Sequence, residues 1–318
     1  PWAKALPELI VPQSMERAAA LGHSIEWTEA YAGALYNFQN TLEGVEEGLA
    51  DLGWVGTLWE PAKMPMQNVS FFAPFVTTDL ETLLEIGTAI NKDIPEVAAA
   101  WEAHNQKLLG IFSTDAYILL TRDPVTKISD LDGLKIYAPG AVSRWLEGTG
   151  AVGVDGGLPV YYEGVKNGIA DGMIAPTGAS LVFKLFEVAP YATVVELGGG
   201  ISGGLTMNLD TWNTLPPELQ SMFEDLGAEY SQYVLQGVGG FYNRVLQIYN
   251  DNPDVTLTTL PEAEMQKWAD SVPNIAGQWV ASNEAKGLPA AQVLQVFMDT
   301  VRQNGGAPLR NWDQELSN

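Results

Sequence analysis

The chain alternates helix-period segments with short apolar runs in two successive rounds, and one extended stretch, residues 110–122, joins the rounds. That alternation restricts the fold to the α/β class, in which helices cover sheets of short strands. In the first round helices are predicted over residues 14–21 and 39–52 and strands over 24–28 and 53–57. The apolar stretch 69–76 then leads into helical segments as far as Leu109. The second round reads as a strand at 134–138, helices at 142–148 and 160–167, a strand at 172–175 and a helix at 179–187. Strands at 192–197 and 205–209 precede a capped helix starting at Asp210. Leu215-Pro216-Pro217-Glu218 opens a long helix to about Tyr249, since proline is well tolerated in a first helical turn. At 1.5 Å per residue that helix exceeds roughly 40 Å, enough to bridge two lobes. After a strand at 255–258 the remainder is helical. The expected division is 1–115 with 206–248 as one lobe and 116–205 with 249–318 as the other.

Charge and cysteine content narrow the function. With 16 basic against 39 acidic residues the net charge is −23, which repels nucleic acid and anionic membrane surfaces. No cysteine is present, so disulfides, thiol nucleophiles and thiolate metal sites are excluded. No run approaches the ~20 apolar residues of a membrane span. The chain opens on Pro1-Trp2-Ala3-Lys4, a start suited to a helix and consistent with removal of a leader and of a first strand.

Two glycine motifs invite enzymatic readings. Gly200-Ile201-Ser202-Gly203-Gly204 satisfies the nucleophile-elbow pattern of serine hydrolases, and Gly198, Gly200 and Gly203 match a dinucleotide fingerprint. Both motifs need a helix after the loop, whereas 205–209 reads as a strand. Both histidines, His23 and His104, precede Ser202, against the order of that fold. The run is therefore expected to be a glycine-rich turn whose amides can approach a small ligand. Asp130-Leu131-Asp132-Gly133 lacks the later glutamate of a calcium loop and reads as a turn. Neither cofactor nor metal is expected.

Three segments resemble the substrate-binding proteins of TRAP transporters, the DctP-like family. Ile128-Ser129-Asp130-Leu131-Asp132-Gly133-Leu134-Lys135-Ile136-Tyr137-Ala138-Pro139-Gly140 is similar to the family's D-L-x-G-L-K-I-R-x-P signature. Tyr162 through Gly168-Ile169-Ala170-Asp171-Gly172 resembles its Y-x-A-L-x-x-G-x-x-D-G segment, and Trp212-Asn213-Thr214-Leu215-Pro216-Pro217-Glu218-Leu219-Gln220 its W-x-x-L-P-P-E-L-Q helix start. The resemblance implies a two-lobed periplasmic binding protein fold with hinge strands and a lobe-bridging helix. It further implies a monomer that closes on a small organic acid, an aromatic or aliphatic monocarboxylate, and delivers it to the TRAP membrane permease subunits.

The departures bear on the ligand. The family arginine after K-I, which forks onto a substrate carboxylate, is Tyr137 here; a second arginine position falls at Tyr117 or Ile118, and the family asparagine at Ala175. Three substitutes are open: Arg144 reaching back, amides around Ser202 capping an anion, or a ligand without an ion pair. Aromatic residues expected in the crevice at strand carboxyl ends are Tyr36, Trp59, Phe72, Tyr117 and Tyr137. Together with Pro139, Arg144, Tyr162, Thr177 and Ser202 they form the candidate ligand site. An aromatic box of this kind also suits a zwitterionic or quaternary ammonium osmolyte.

Overall fold

The computed structural model describes residues 2–37 and 39–316. In chain order its elements are α1 (Val11–Ala20), α2 (Thr41–Glu46), β1 (Leu52–Gly56), α3 (Val69–Phe72), α4 (Leu80–Asp93), α5 (Pro95–Ala103), β2 (Gln106–Thr114), β3 (Tyr117–Thr121), β4 (Lys135–Tyr137), β5 (Val152–Val154) and α6 (Leu158–Lys166). There follow β6 (Gly172–Pro176), α7 (Thr177–Val182), β7 (Tyr191–Val194), β8 (Gly200–Asn208), α8 (Leu209–Thr214), α9 (Pro217–Asp251), β9 (Thr256–Thr259), α10 (Glu262–Ser271), α11 (Ile275–Glu284) and α12 (Ala290–Gln303). The strands form two sheets, β1-β8-β2 and β5-β4-β6-β3-β7-β9.

Several expectations change. The extended stretch at 110–122 is broken at Asp115-Ala116: β2 lies in the first sheet and β3 in the second. The break and residues 195–199 are the two short crossings between sheets, the third being α9, and these two lie side by side, Tyr117 N–H donating to Gly198 O at 3.0 Å. The glycine run is not a turn. It is the start of β8, the central strand of the first sheet, laddered to β1 and β2 on its two sides. The strand expected at 24–28 has no ladder; Ile25 and Trp27 are half-buried and pack on the α9 cluster, with Trp27 Nε1 donating to Ser14 Oγ at 2.9 Å. Alternate burial without a paired neighbour explains why the period-two signal misled. The helix expected at 39–52 is cut to α2, because Gly48 takes φ +71° and ends it. The helix expected at 142–148 is a 3₁₀ segment, Gly140–Leu146. At the start of the chain Trp2–Lys4 form a turn and Pro1 lies outside the described residues.

The 35-residue helix α9 ties the two sheets together. Its first half, through Phe223, Tyr230, Val234 and Val238, belongs to the core beneath the first sheet, while Val245 and Tyr249 belong to the core of the second. It lies close to β2 because Gly110 and Gly227 carry no side chains: a Cβ on Gly227 would meet Leu109 O at 2.2 Å. Ser231 Oγ uses that closeness to accept the Ile111 N–H at 2.9 Å. Helices α10 to α12 pack with α3 and α4 in one continuous core that also takes in Ile136, Val142 and Trp145 from the second-sheet side. Among the described residues no helix is long and apolar enough to cross a membrane.

Candidate functional site

Where the sheets face each other, strand ends supply a small aromatic pocket. Trp54 comes from β1 and Leu58 and Trp59 from the 3₁₀ turn Thr57–Trp59 that follows it. Phe112 and Thr114 lie on β2 and Ser202 on β8; Tyr117 opens β3, Pro139 follows β4, and Pro176 ends β6. Leu158 and Trp2 complete the walls. Period-two spacing puts Phe112 and Thr114 on one face of β2. Trp2 stacks on Phe112 at 5.8 Å between centroids, and Trp54 meets the same ring edge-on at 5.8 Å. Behind Tyr117 stands Trp145, 5.2 Å away edge-to-face, itself stacked on Phe71 at 6.3 Å.

The lobes meet at the mouth. Gly140, at φ +49°, lies so near Leu58 that a Cβ there would stand 2.9 Å from the Leu58 carbonyl. The enclosed space is about 30 Å³, room for one or two waters, so admission of an organic solute requires the two sides to separate.

The polar groups of the pocket are hydroxyls. Ser202 Oγ donates to Gly200 O at 3.1 Å and lies 3.5 Å from Thr114 Oγ1, which accepts the Gly200 N–H at 3.2 Å. Burial raises the Tyr117 phenol, against a hydrogen bond with Thr114, so it remains a neutral donor. No lysine or arginine lines this pocket among the described residues. Asp115, beside it, is 3% exposed and adds acidity rather than a cation.

Of the ten residues read from the sequence, the fold brings Trp59, Tyr117, Pro139 and Ser202 together here. Thr177 is close by but works on the backbone, its hydroxyl donating to Ala116 O at 2.7 Å across the sheet crossing. The other five lie elsewhere. The Tyr36 ring covers Gly44 and Gly53, Phe72 stacks on Trp279 at 5.8 Å, and Tyr137 stacks on Tyr161 at 4.8 Å inside the second core. Tyr162 OH donates to Glu187 at 3.0 Å. Arg144 is spent on Glu147 at 2.8 Å and Gln278 at 2.5 Å. Substitution Arg144→Ala is accordingly expected to leave affinity for any stabilising solute within about twofold, as for surface changes generally. A tenfold loss by calorimetric titration would instead bring the guanidinium into the cleft.

Two of the amides around Ser202 are already engaged within the protein. Gly200 N–H donates to Thr114 and Ile201 N–H to Ser70 Oγ at 3.0 Å, and from Gly203 onward β8 is laddered to β1, while Ser202 itself falls at a register shift between β8 and β2. Ser202 has no histidine base, since His23 contacts Glu218 at 3.0 Å and His104 contacts Glu46 at 3.1 Å. The carboxylate of Asp130 accepts from Thr126 and Lys127 and closes the turn expected there. Sequence reasoning missed Trp2, Trp54, Leu58, Phe112, Thr114, Leu158 and Pro176. Trp54, Phe112 and Pro176 were within reach of the rule that ligands meet strand ends, whereas Trp2 and Leu158 arrive by tertiary folding alone.

Two sheets joined by crossing strands and one long helix, with a pocket between them, is the geometry of a solute receptor. The family model for bacterial extracellular solute-binding proteins, family 7 (DctP), matches residues 19–282. The chain belongs to this family. Its members are binding proteins rather than enzymes, and this family-7 chain has the two-lobed α/β fold of solved TRAP solute-binding proteins. One, from an unidentified microbe of a marine metagenome, is described as specific for aromatic acids and holds metahydroxyphenylacetate. It is 20% identical, with a TM-score of 0.81 over 95% of either chain. Another, from Desulfovibrio salexigens, is 23% identical with a TM-score of 0.77 over 95% of this chain and 93% of its own. A third, from Bordetella bronchiseptica, holds (R)- and (S)-mandelate and is 20% identical, with a TM-score of 0.77 over 94% of this chain and 95% of its own.

Proposed function

We propose that this protein is the periplasmic, monomeric solute-binding subunit of a TRAP-type secondary transporter, and that its solute is held by the aromatic pocket without a carboxylate clamp. The observation that carries the second part is the lining itself: three tryptophans, Phe112 and Tyr117 around three hydroxyls, with no cationic side chain among them. A carboxylate drawn into such a space loses its hydration and gains no counter-charge. A quaternary ammonium or zwitterionic solute gains instead from aromatic faces, by about 0.5–2 kcal/mol per ring.

The organic-acid reading is supported by relatives described with aromatic acids and mandelate. It requires the three hydroxyls to hold the carboxylate. Capture works by closure: the solute contacts both sides, so it favours the closed state by its differential affinity, and the membrane permease reads that state. The hinges of the proposed motion are Asp115-Ala116, residues 195–199 and α9, between lobes formed by 1–115 with 200–248 and by 116–199 with 249–318, the expected boundary at 205/206 moving to 199/200 so that β8 stays whole in the first sheet.

Thermal denaturation with charge-matched solutes tests the choice. At a hundredfold excess over Kd a native-state ligand adds about 2.7 kcal/mol, several degrees of Tm. Benzyltrimethylammonium or glycine betaine is expected to raise Tm while benzoate and mandelate leave it unchanged. A rise with the acids alone reverses the ligand assignment, and Trp59→Ala should abolish whichever response is seen.

A further inference from the structure

A second cavity, of about 300 Å³, shares Trp2 with the solute pocket and lies at the hinge. Its walls come from both halves of the molecule: Gly178, Val182 and Phe183 from α7 and the residue after it, Val238 and Phe241 from α9, and the Trp2–Lys4 turn. Trp2 also forms part of the core beneath the first sheet and is a wall common to both cavities. At this cavity stands Asp115, the residue between β2 and β3. It is 3% exposed, and its Oδ2 accepts the Gly178 N–H at 2.6 Å. Lys4, the cation on the wall, is bound to Glu8 at 2.8 Å.

Among the described residues Asp115 has amide partners and no ion pair, and a carboxylate buried in apolar surroundings is costly unless it is neutralised or paired. The volume is at the lower end of those used for small molecules, and Phe183, Phe241 and Trp2 offer ring faces to a cation. We propose that this hinge-side cavity is a second binding site, for a small organic ammonium ion, with the Asp115 carboxylate as its counter-ion. Because its walls belong to both sides of the hinge and Trp2 is common to both cavities, occupancy is coupled to the solute pocket, and the coupling is reciprocal.

Among the described residues the groups facing Asp115 are Tyr117 on β3, Tyr242 on α9 with exposed Glu196 near it, and Lys4, and the positive charge of the chain's α-amino group also acts on its carboxyl. Burial holds both phenols up, and Glu8 holds Lys4 in its charged form, so Asp115 is the group that titrates in the neutral range. Binding of an ammonium ion should strengthen as pH rises from 5.5 to 8, when the carboxylate becomes ionised.

Titration calorimetry with n-butylammonium chloride, and with n-butanol as its uncharged counterpart, tests this on the full chain at pH 8. One site is expected for the ammonium and none for the alcohol. Asp115→Asn, which keeps an acceptor for Gly178, should weaken binding by about tenfold or more, the range for loss of a charged hydrogen-bond partner. Val182→Trp, at a position 65% exposed and so tolerant of change, should block the cavity, while Trp59→Ala, which removes the quaternary-ammonium response of the solute pocket, should leave n-butylammonium binding at the hinge intact. Equal binding of the alcohol, an unchanged Asp115→Asn, loss in Trp59→Ala, or no binding to the wild type would each overturn the proposal. Should Asp115→Asn fail to fold, Val182→Trp decides.

Discussion

Replacing Trp145 by alanine is expected to destabilise the protein by about 4 kcal/mol or more, the largest loss any single side chain of the cleft should produce. The indole is fully buried, stacked on Phe71 at 6.3 Å and edge-on to Tyr117 at 5.2 Å. Its Nε1 donates to Phe71 O at 2.6 Å, and its own carbonyl accepts Trp268 Nε1 at 2.7 Å. Truncation of a buried tryptophan costs about 3–5 kcal/mol through lost burial and the cavity left behind. The orphaned Phe71 carbonyl adds about 1–3 kcal/mol. Against a total stability of about 5–15 kcal/mol this leaves a marginal fold. Urea denaturation should show a lower midpoint with an unchanged slope. Trp145→Phe, which keeps most of the ring but not the hydrogen bond, should cost about 1–3 kcal/mol. A loss below about 1 kcal/mol for Trp145→Ala would mean that the aromatic stack closes over the gap and does not depend on this residue.

The second large effect is a dependence of stability on pH that Asp115→Asn removes. Burial holds the Asp115 carboxyl up at about 7, against 3.8 in an unfolded chain, with the Gly178 N–H opposing the rise. Between those values the folded protein keeps a proton that the unfolded chain has released, so stability falls as pH rises from about 4 to about 7 and levels off above. At 1.36 kcal/mol per unit the change is on the order of 4 kcal/mol. Urea midpoints measured from pH 4 to pH 8 should therefore decline in the wild type more steeply than in Asp115→Asn. The variant should be the more stable of the two at pH 8, because asparagine keeps the acceptor and carries no charge to bury. Parallel profiles would show that Asp115 is solvated or paired in the folded protein.

The site was only partly legible in advance, and its residues show why. Trp59 and Tyr117 were read from expected strand ends, Ser202 from the glycine run and Pro139 from the signature segment, and all four line the pocket, although Tyr117 opens its strand instead of ending it. Tyr137 sat at an equally favoured position, yet its ring turned into the second core and stacked on Tyr161, with Gly164 leaving room for it. Phe72 and Tyr162 were drawn away in the same fashion by Trp279 and Glu187. Arg144 found Glu147 three residues along its own segment and Gln278 on α11. An aromatic ring or a guanidinium takes the best partner available, and those partners come from segments far apart in sequence.

Periodicity, glycine and proline positions and charge balance determined, without any structure, that the chain forms α/β units around a long helix, and its signature segments pointed to the solute-binding family to which it belongs. These are local properties, set by the backbone preferences of neighbouring residues and by which face of each element is apolar. The tertiary structure alone decided that residues 110–122 break at Asp115-Ala116, that the glycine run is a central strand, and that the pocket is aromatic with no cationic side chain among the described residues. The break depends on which sheet each half joins. The glycine run is extended because β1 and β2 pair with it on its two sides. The character of the cleft depends on where Trp2, Phe112 and Tyr117 meet, and such pairings between distant segments leave no periodic trace in the sequence.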